Sequence, residues 1–177
     1  MLKKISIMSF ALMTALTPIS ALAAKGDDVE ELRADSKRAN EWVLVKKDKL
    51  KNITTWAKRE DGKSIRSFKV EMIVDADLET LARLHFDVEN IKRWFWETKE
   101  SRLLKKVNDK EYYFYQVYNA PLTVPDRDSI VHVTVEPFNA KRGYMMLNLK
   151  AAPDFMPLQP GKTRVAAQDY YIKFTPV

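Results

Sequence analysis

No cysteine occurs anywhere in the 177-residue chain. Disulfides, thiolate metal sites, a cysteine nucleophile and a lipid-modified cysteine are all excluded, so folding rests on the core alone. Glycine is scarce too, at four residues, and none stands in a phosphate-cradling run. There are only two histidines. His85 ends a helical pattern and His132 sits in the strand-like VHVTV, so nothing in their spacing makes a metal site. No serine lies in a nucleophile-elbow context. Neither sign of charge dominates: 30 basic residues face 24 acidic ones, for a net +6. The basic residues are dispersed over Lys46, Lys47, Lys49, Lys51, Lys92, Arg93, Lys105 and Lys106. That reads as a solvated surface, with anionic lipid head groups a better partner than nucleic acid. No internal repeat or low-complexity segment is present.

The start of the chain is different in character. Lys3 and Lys4 precede an apolar run from Ile5 to Leu16, and Ala21-Leu22-Ala23 offers the small residues a signal peptidase reads. Residues 1–23 are expected to be a secretory signal peptide, cleaved after Ala23. The run is too short for the ~20 residues of a membrane span, and Pro18 interrupts its end. Cleavage would leave 154 residues carrying a net +4 of the original +6, which is one domain. The short basic start looks bacterial, so the expected compartment is the periplasm.

Residues 24–41 are polar and helix-prone, with acids early and bases late, as the helix dipole favours. Strands are expected at Trp42 to Val45 and at Ile53 to Lys58, followed by a turn at Asp61-Gly62. In the next segment Phe68, Val70, Met72 and Val74 alternate with more polar positions, giving a strand with one buried face. Asp75 or Asp77 then caps a helix carrying Leu78, Leu81, Ala82 and Leu84 on one face. Asp87 is placed to cap a second helix, VENIKRWFW. Five further strands are expected: SRLLKKV, EYYFYQVYNA, DSIVHVTVEPF, GYMMLNLKAA and RVAAQDYYIKF. Strands in uninterrupted succession imply an antiparallel sheet and an α+β class.

Strand parity organises the polar residues. Asp126 and Asp128 share one face with His132, Thr134 and Glu136, expected to be the solvent face. Arg127 shares the other with Ser129, Val131, Val133 and Val135, the apolar side. A charge there is costly unless paired or hydrogen-bonded. Arg127 is therefore either a structural ion pair or the polar anchor of a ligand in an apolar pocket. Aromatics crowd Trp94-Phe95-Trp96 and the strand holding Tyr112, Tyr113, Phe114, Tyr115 and Tyr118. They cannot all enter one core, so some are expected to line a cavity.

From Trp42 onward the chain resembles the START (steroidogenic acute regulatory protein-related lipid transfer) domain family, in its bacterial exported single-domain form. The resemblance rests on WVLVKKDKLKNITTWAKRE, FKVEMIVDADLETLARLHFDVENIKRW, NAPLTVPDRDSIV and GKTRVAAQDYYIKFTP, in that order. It implies a helix-grip fold, a curved antiparallel sheet over a lipid-sized tunnel, without a cofactor. Arg127 and Asp128 match the family's Pro-x-Arg-Asp-like segment, with Asp126 inserted after Pro125. Trp94 matches the tryptophan after the second helix, though Phe95 stands where an acid or asparagine is common. Arg164 matches the arginine after the glycine turn. The family pattern continues through one more strand and a long C-terminal lid helix, and this sequence stops at Pro176-Val177. The START-like domain, 42–177, is thus expected to be C-terminally incomplete, either truncated or lidded by another chain.

The expected function is binding and transfer of a lipid or other hydrophobic small molecule, without catalysis, cofactor or metal. The expected ligand-binding wall is Phe68, Val70, Met72, Trp94, Tyr115, Arg127, Val131, Met145 and Leu147. A membrane surface is a further expected partner. Two alternatives remain open. One is an enzyme of the helix-grip superfamily, a cyclase or hydrolase using Asp128, His132 or a tyrosine as acid/base. The other is a truncated, non-binding remnant or assembly subunit.

Overall fold

A computed structural model describes residues 3–8, 40–63, 66–121 and 123–177. The described strands are β1 (Lys3–Met8), β2 (Val43–Asp48), β3 (Ile53–Arg59), β4 (Arg66–Val74), β5 (Thr98–Asn108), β6 (Glu111–Tyr118), β7 (Asp126–Asn139), β8 (Tyr144–Ala151), β9 (Lys162–Arg164) and β10 (Asp169–Phe174). Between β4 and β5 lie helix α1 (Leu78–Phe86) and a 3-10 segment, Val88–Arg93. All but β9 form one antiparallel path in the order β2-β3-β4-β1-β10-β8-β7-β6-β5. No helix among the described residues is long and apolar enough to cross a membrane.

Local chemistry accounts for the connections. Asp77, the further of the two candidate caps, accepts from the Thr80 amide at 2.6 Å and opens α1. Asp87 does not cap the second helical segment with its side chain. Its carboxylate takes the Asn90 side-chain amide instead, and the segment stays 3-10. Gly143 and Gly161, both at positive φ, turn the chain into β8 and β9. Such backbone strains any residue with a Cβ.

Two features differ from the sequence reading, and most of a third lies outside the described residues. Lys3–Met8, the front of the expected leader, forms β1 between β4 and β10, with Ile5 opposite both Met72 and Phe174. Residues 24–39 of the expected N-terminal helix lie outside the described residues, and Asn40 (φ 68°) is a turn whose amide donates to Arg59. The last expected strand is two: Val165–Gln168 separates β9 from β10, and β9 pairs parallel with β7.

The sheet has cores on both faces. On the concave side, Val88 and Ile91 pack with Phe114, Val131, Val133, Leu147, Leu149 and Phe174. On the convex side, a smaller cluster of Tyr115, Val117 and Ile130 lies under Ala152 and Met156. Segment 152–165 therefore covers one end of the face that parity alone assigns to solvent.

Candidate functional site

The even-numbered residues of β6 set the site. Tyr112, Phe114, Gln116 and Tyr118 project to the concave side, opposite Val133, Val131, Ser129 and Arg127 of β7. With Phe68 and Val70 of β4, Leu147 and Leu149 of β8, Tyr170 and Ile172 of β10, and His85, Ile91, Trp94 and Phe95 from the helical segment, they enclose a cavity of about 820 Å³. Its rim carries Trp96, Glu97, Asn119, Ala120, Pro121 and Arg127.

Rings run along the wall. The His85 ring meets Trp94 edge-on at 5.3 Å, Trp94 meets Phe95 at 5.8 Å, and Phe95 meets Tyr118 at 6.4 Å. Burial pushes the Tyr112, Tyr118 and Tyr170 phenols well above their ordinary value, so they remain neutral donors. Tyr118 donates to Gln116 Oε1 at 3.1 Å, and Gln116 donates onward to Thr98 at 3.0 Å. His85 is held below its ordinary pKa by burial, against the opposing pull of its hydrogen bond to Leu81.

The charges around Arg127 are already engaged. Asp126 takes Lys99 at 2.8 Å and the Ala120 amide at 3.2 Å, which hold its pKa down. Asp128 is not on a solvent face: its side chain is 1% exposed. Beneath segment 152–165, Arg164 grips it with Nε at 3.0 Å and Nη2 at 2.9 Å. The same guanidinium donates to the carbonyls of Pro153, Met156 and Pro157. All five of its N–H donors are thus used. Tyr115 adds its hydroxyl to Asp128 at 3.2 Å; burial first, and that carboxylate second, push its pKa up to about 12. Among the described residues, Arg127 itself has no ion-pair or side-chain hydrogen-bond partner.

Of the expected wall, Phe68, Val70, Trp94, Arg127 and Leu147 line the cavity. Tyr115 does not: its odd parity in β6 turns it to the convex cluster. Val131 and Met145 face the concave side but are consumed in the packed core. Met72 lies one strand step beyond Val70, between Ile53 of β3 and Ile5 of β1, outside the lining. Sequence reasoning missed His85, Gln116, Tyr118, Tyr170 and Ile172 as lining residues. Fixing β6 parity from its pairing with the Arg127 strand would have found two of them. His132 lies on the convex side, bonded to Glu111 at 2.9 Å and stacked on Tyr113 at 4.4 Å. Among the described residues there is no group of three or more His, Cys, Asp or Glu placed to hold a metal.

No family model matches the chain. An uncharacterized protein of Pseudomonas aeruginosa, PA1579, is 27% identical over 127 residues, which cover 72% of this chain and 60% of that one. The chain thus spans less than two thirds of that relative's length. Among solved structures, the STAR-related lipid transfer protein (fragment 25–204) from Xanthomonas axonopodis is 25% identical, covers 77% of this chain and 80% of its own, and superposes with a TM-score of 0.66. The human StarD13 lipid transfer and protein localization domain, at 16% identity, covers 86% and 84% with a TM-score of 0.63. Human STARD10, at 15% identity, covers 89% and 69% with a TM-score of 0.60. The curved antiparallel sheet, its few short helices and these likenesses together make the chain's fold START-like.

Proposed function

We propose that this chain binds a lipid or other apolar small molecule in its cavity and carries it between membranes in the periplasm, without catalysing a reaction. The observation that carries the reading is the cavity of about 820 Å³ enclosed by aromatic and aliphatic side chains. Such a volume is in the range of small-molecule sites. A ligand burying ~400 Å² of apolar surface there gains ~10 kcal/mol before ordering costs, enough for micromolar binding without any reacting group. Of the residues an acid/base enzyme would use, Asp128 and His132 are on the other face, and the cavity tyrosines Tyr112, Tyr118 and Tyr170 are held neutral by burial. His85, Glu97 and Arg127, the charged or titratable non-phenolic liners, are not bonded to one another.

Delivery fits the rim. Trp96 is 83% exposed there, beside exposed Lys92 and Arg93, a combination suited to an anionic bilayer surface. The periplasmic part rests on the leader-like 1–23. Cleavage after Ala23 would take β1 from between β4 and β10; a chain beginning at Ala24 in a periplasmic extract supports export, and recovery of the protein from the cytoplasmic fraction alone overturns it. The carrier itself is tested by moving a fluorescent phospholipid or fatty acid between donor and acceptor vesicles. Faster exchange with the protein than without it is the expected result. Unchanged exchange together with no binding of either probe overturns the reading.

A further inference from the structure

Resting on that carrier reading, we infer that the guest is an amphiphile with polar groups at both ends, an anion against Arg127 and a hydroxyl donating to His85, with an apolar body between.

Three observations carry this. First, the cation at the rim end has no counter-ion among the described residues. Asp126 and Asp128 flank it in sequence, yet Lys99 and Arg164 occupy them. Glu97, the other charged residue of the rim, takes the Asn119 side-chain amide at 2.7 Å and lies beyond ion-pair distance of Arg127. A guanidinium at the edge of an apolar hollow, with neighbouring carboxylates engaged, presents an open fork to a carboxylate or phosphate.

Second, the opposite end holds an acceptor. The His85 Nδ1–H donates to the Leu81 carbonyl at 2.9 Å, which fixes the neutral tautomer and leaves Nε2 with a lone pair. The ring is packed against Trp94 and Phe174, and Nε2 has no partner among the described residues. An unbonded acceptor on a ring that lines a greasy cavity is matched by a hydroxyl donor, not by a second anion.

Third, the two ends are separated along one strand. Arg127 is opposite Tyr118, and the Tyr112 hydroxyl donates to the His85 carbonyl. Tyr112 and Tyr118 are six residues apart on β6, so their Cα atoms are about 20 Å apart at strand spacing, and the rings of Trp94 and Phe95 bridge from His85 to Tyr118. Between them the wall is Phe114, Phe95, Trp94 and Leu147. A long, thin molecule with polar termini fits this arrangement; a compact one leaves one terminus of the cavity unmet.

The test is a binding series with palmitate, ω-hydroxypalmitate, cetyl alcohol and the matching α,ω-diol, read by quenching of tryptophan fluorescence in wild type, Arg127→Met and His85→Phe. In wild type, ω-hydroxypalmitate is expected to bind tightest. Arg127→Met should weaken both acids about tenfold or more and leave cetyl alcohol unchanged. His85→Phe should erase the advantage of the ω-hydroxyl, about three- to tenfold, and leave palmitate unchanged. Should His85→Phe misfold, the ¹⁵N resonance of wild-type His85 Nε2 gives the same answer: it moves with ω-hydroxypalmitate and not with palmitate. Equal affinity for all four, or an Nε2 resonance blind to the hydroxyl, overturns the two-ended ligand. If none of the four binds while the vesicle probe does, this inference fails and the carrier stands. If the probe fails too, both fall.

Discussion

Arg127 and Arg164 show how two arginines of one sheet acquire opposite duties. Arg164 is enclosed by one carboxylate and three carbonyls and its side chain is 6% exposed; Arg127 borders a cavity, and its side chain bonds to none of its described neighbours. Removing one partner of a buried pair leaves the other charge stranded, at a cost of about 3–5 kcal/mol. Arg164→Met should therefore lower the urea unfolding free energy by that order, whereas Arg127→Met should change it by no more than about 0.5 kcal/mol. Glu60 offers a pH readout at the same scale. Hydrogen bonds from Lys63, then Lys58, then Ser67 bring its pKa from 4.5 down to about 2. A lowered carboxylate pKa stabilises the fold above 4.5 and loses that contribution as pH falls through about 2. The stability gap between wild type and Glu60→Gln should be small, below about 1 kcal/mol because the pairs meet solvent, present at pH 7 and mostly lost by pH 2. A gap undiminished at pH 2 contradicts the assignment.

Strands and helices were legible wherever the pattern was local. The β4 alternation, the Asp77 cap and the run from β5 to β8 follow from period and capping chemistry readable in the residues themselves. Asp77→Ala should accordingly cost about 1 kcal/mol, measured as a shift in the urea midpoint. What remained hidden depends on partners distant in sequence. Tyr115 and Tyr118 look alike in EYYFYQVY, and only the register against β7 assigns one to the convex cluster and the other to the cavity. Asp128 obeys parity but not its usual consequence, because segment 152–165 folds over that face. β1 is the sharpest case. Residues 1–23 read as a leader on hydrophobicity alone, and the strand that Lys3–Met8 forms against β4 and β10 shows only in the pairing. A chain of residues 24–177 lacks that strand, exposing the ladder edges of both neighbours. It should unfold at lower urea than the full chain and bind thioflavin T more readily; equal stability of the two contradicts a structural role for β1.

The whole molecule is a sheet bent around a space that its own side chains line but do not fill. A void of this size sacrifices packing that a solid core would keep, and occupation by a guest restores it. A ligand at 100 times its Kd adds ~2.7 kcal/mol to the folded state, or roughly 5–10 °C in Tm for a domain of this length. Native mass spectrometry of the protein incubated with a total lipid extract, compared with Val70→Trp, is the most direct measurement. Val70 is a lining residue, and the indole in its place occupies part of the hollow without touching Arg164 or Asp128. The account expects one small-molecule adduct per wild-type chain and its loss or marked depletion in the variant. A folded wild-type chain that flies bare, or a Val70→Trp chain that carries the same adduct in the same amount, contradicts it.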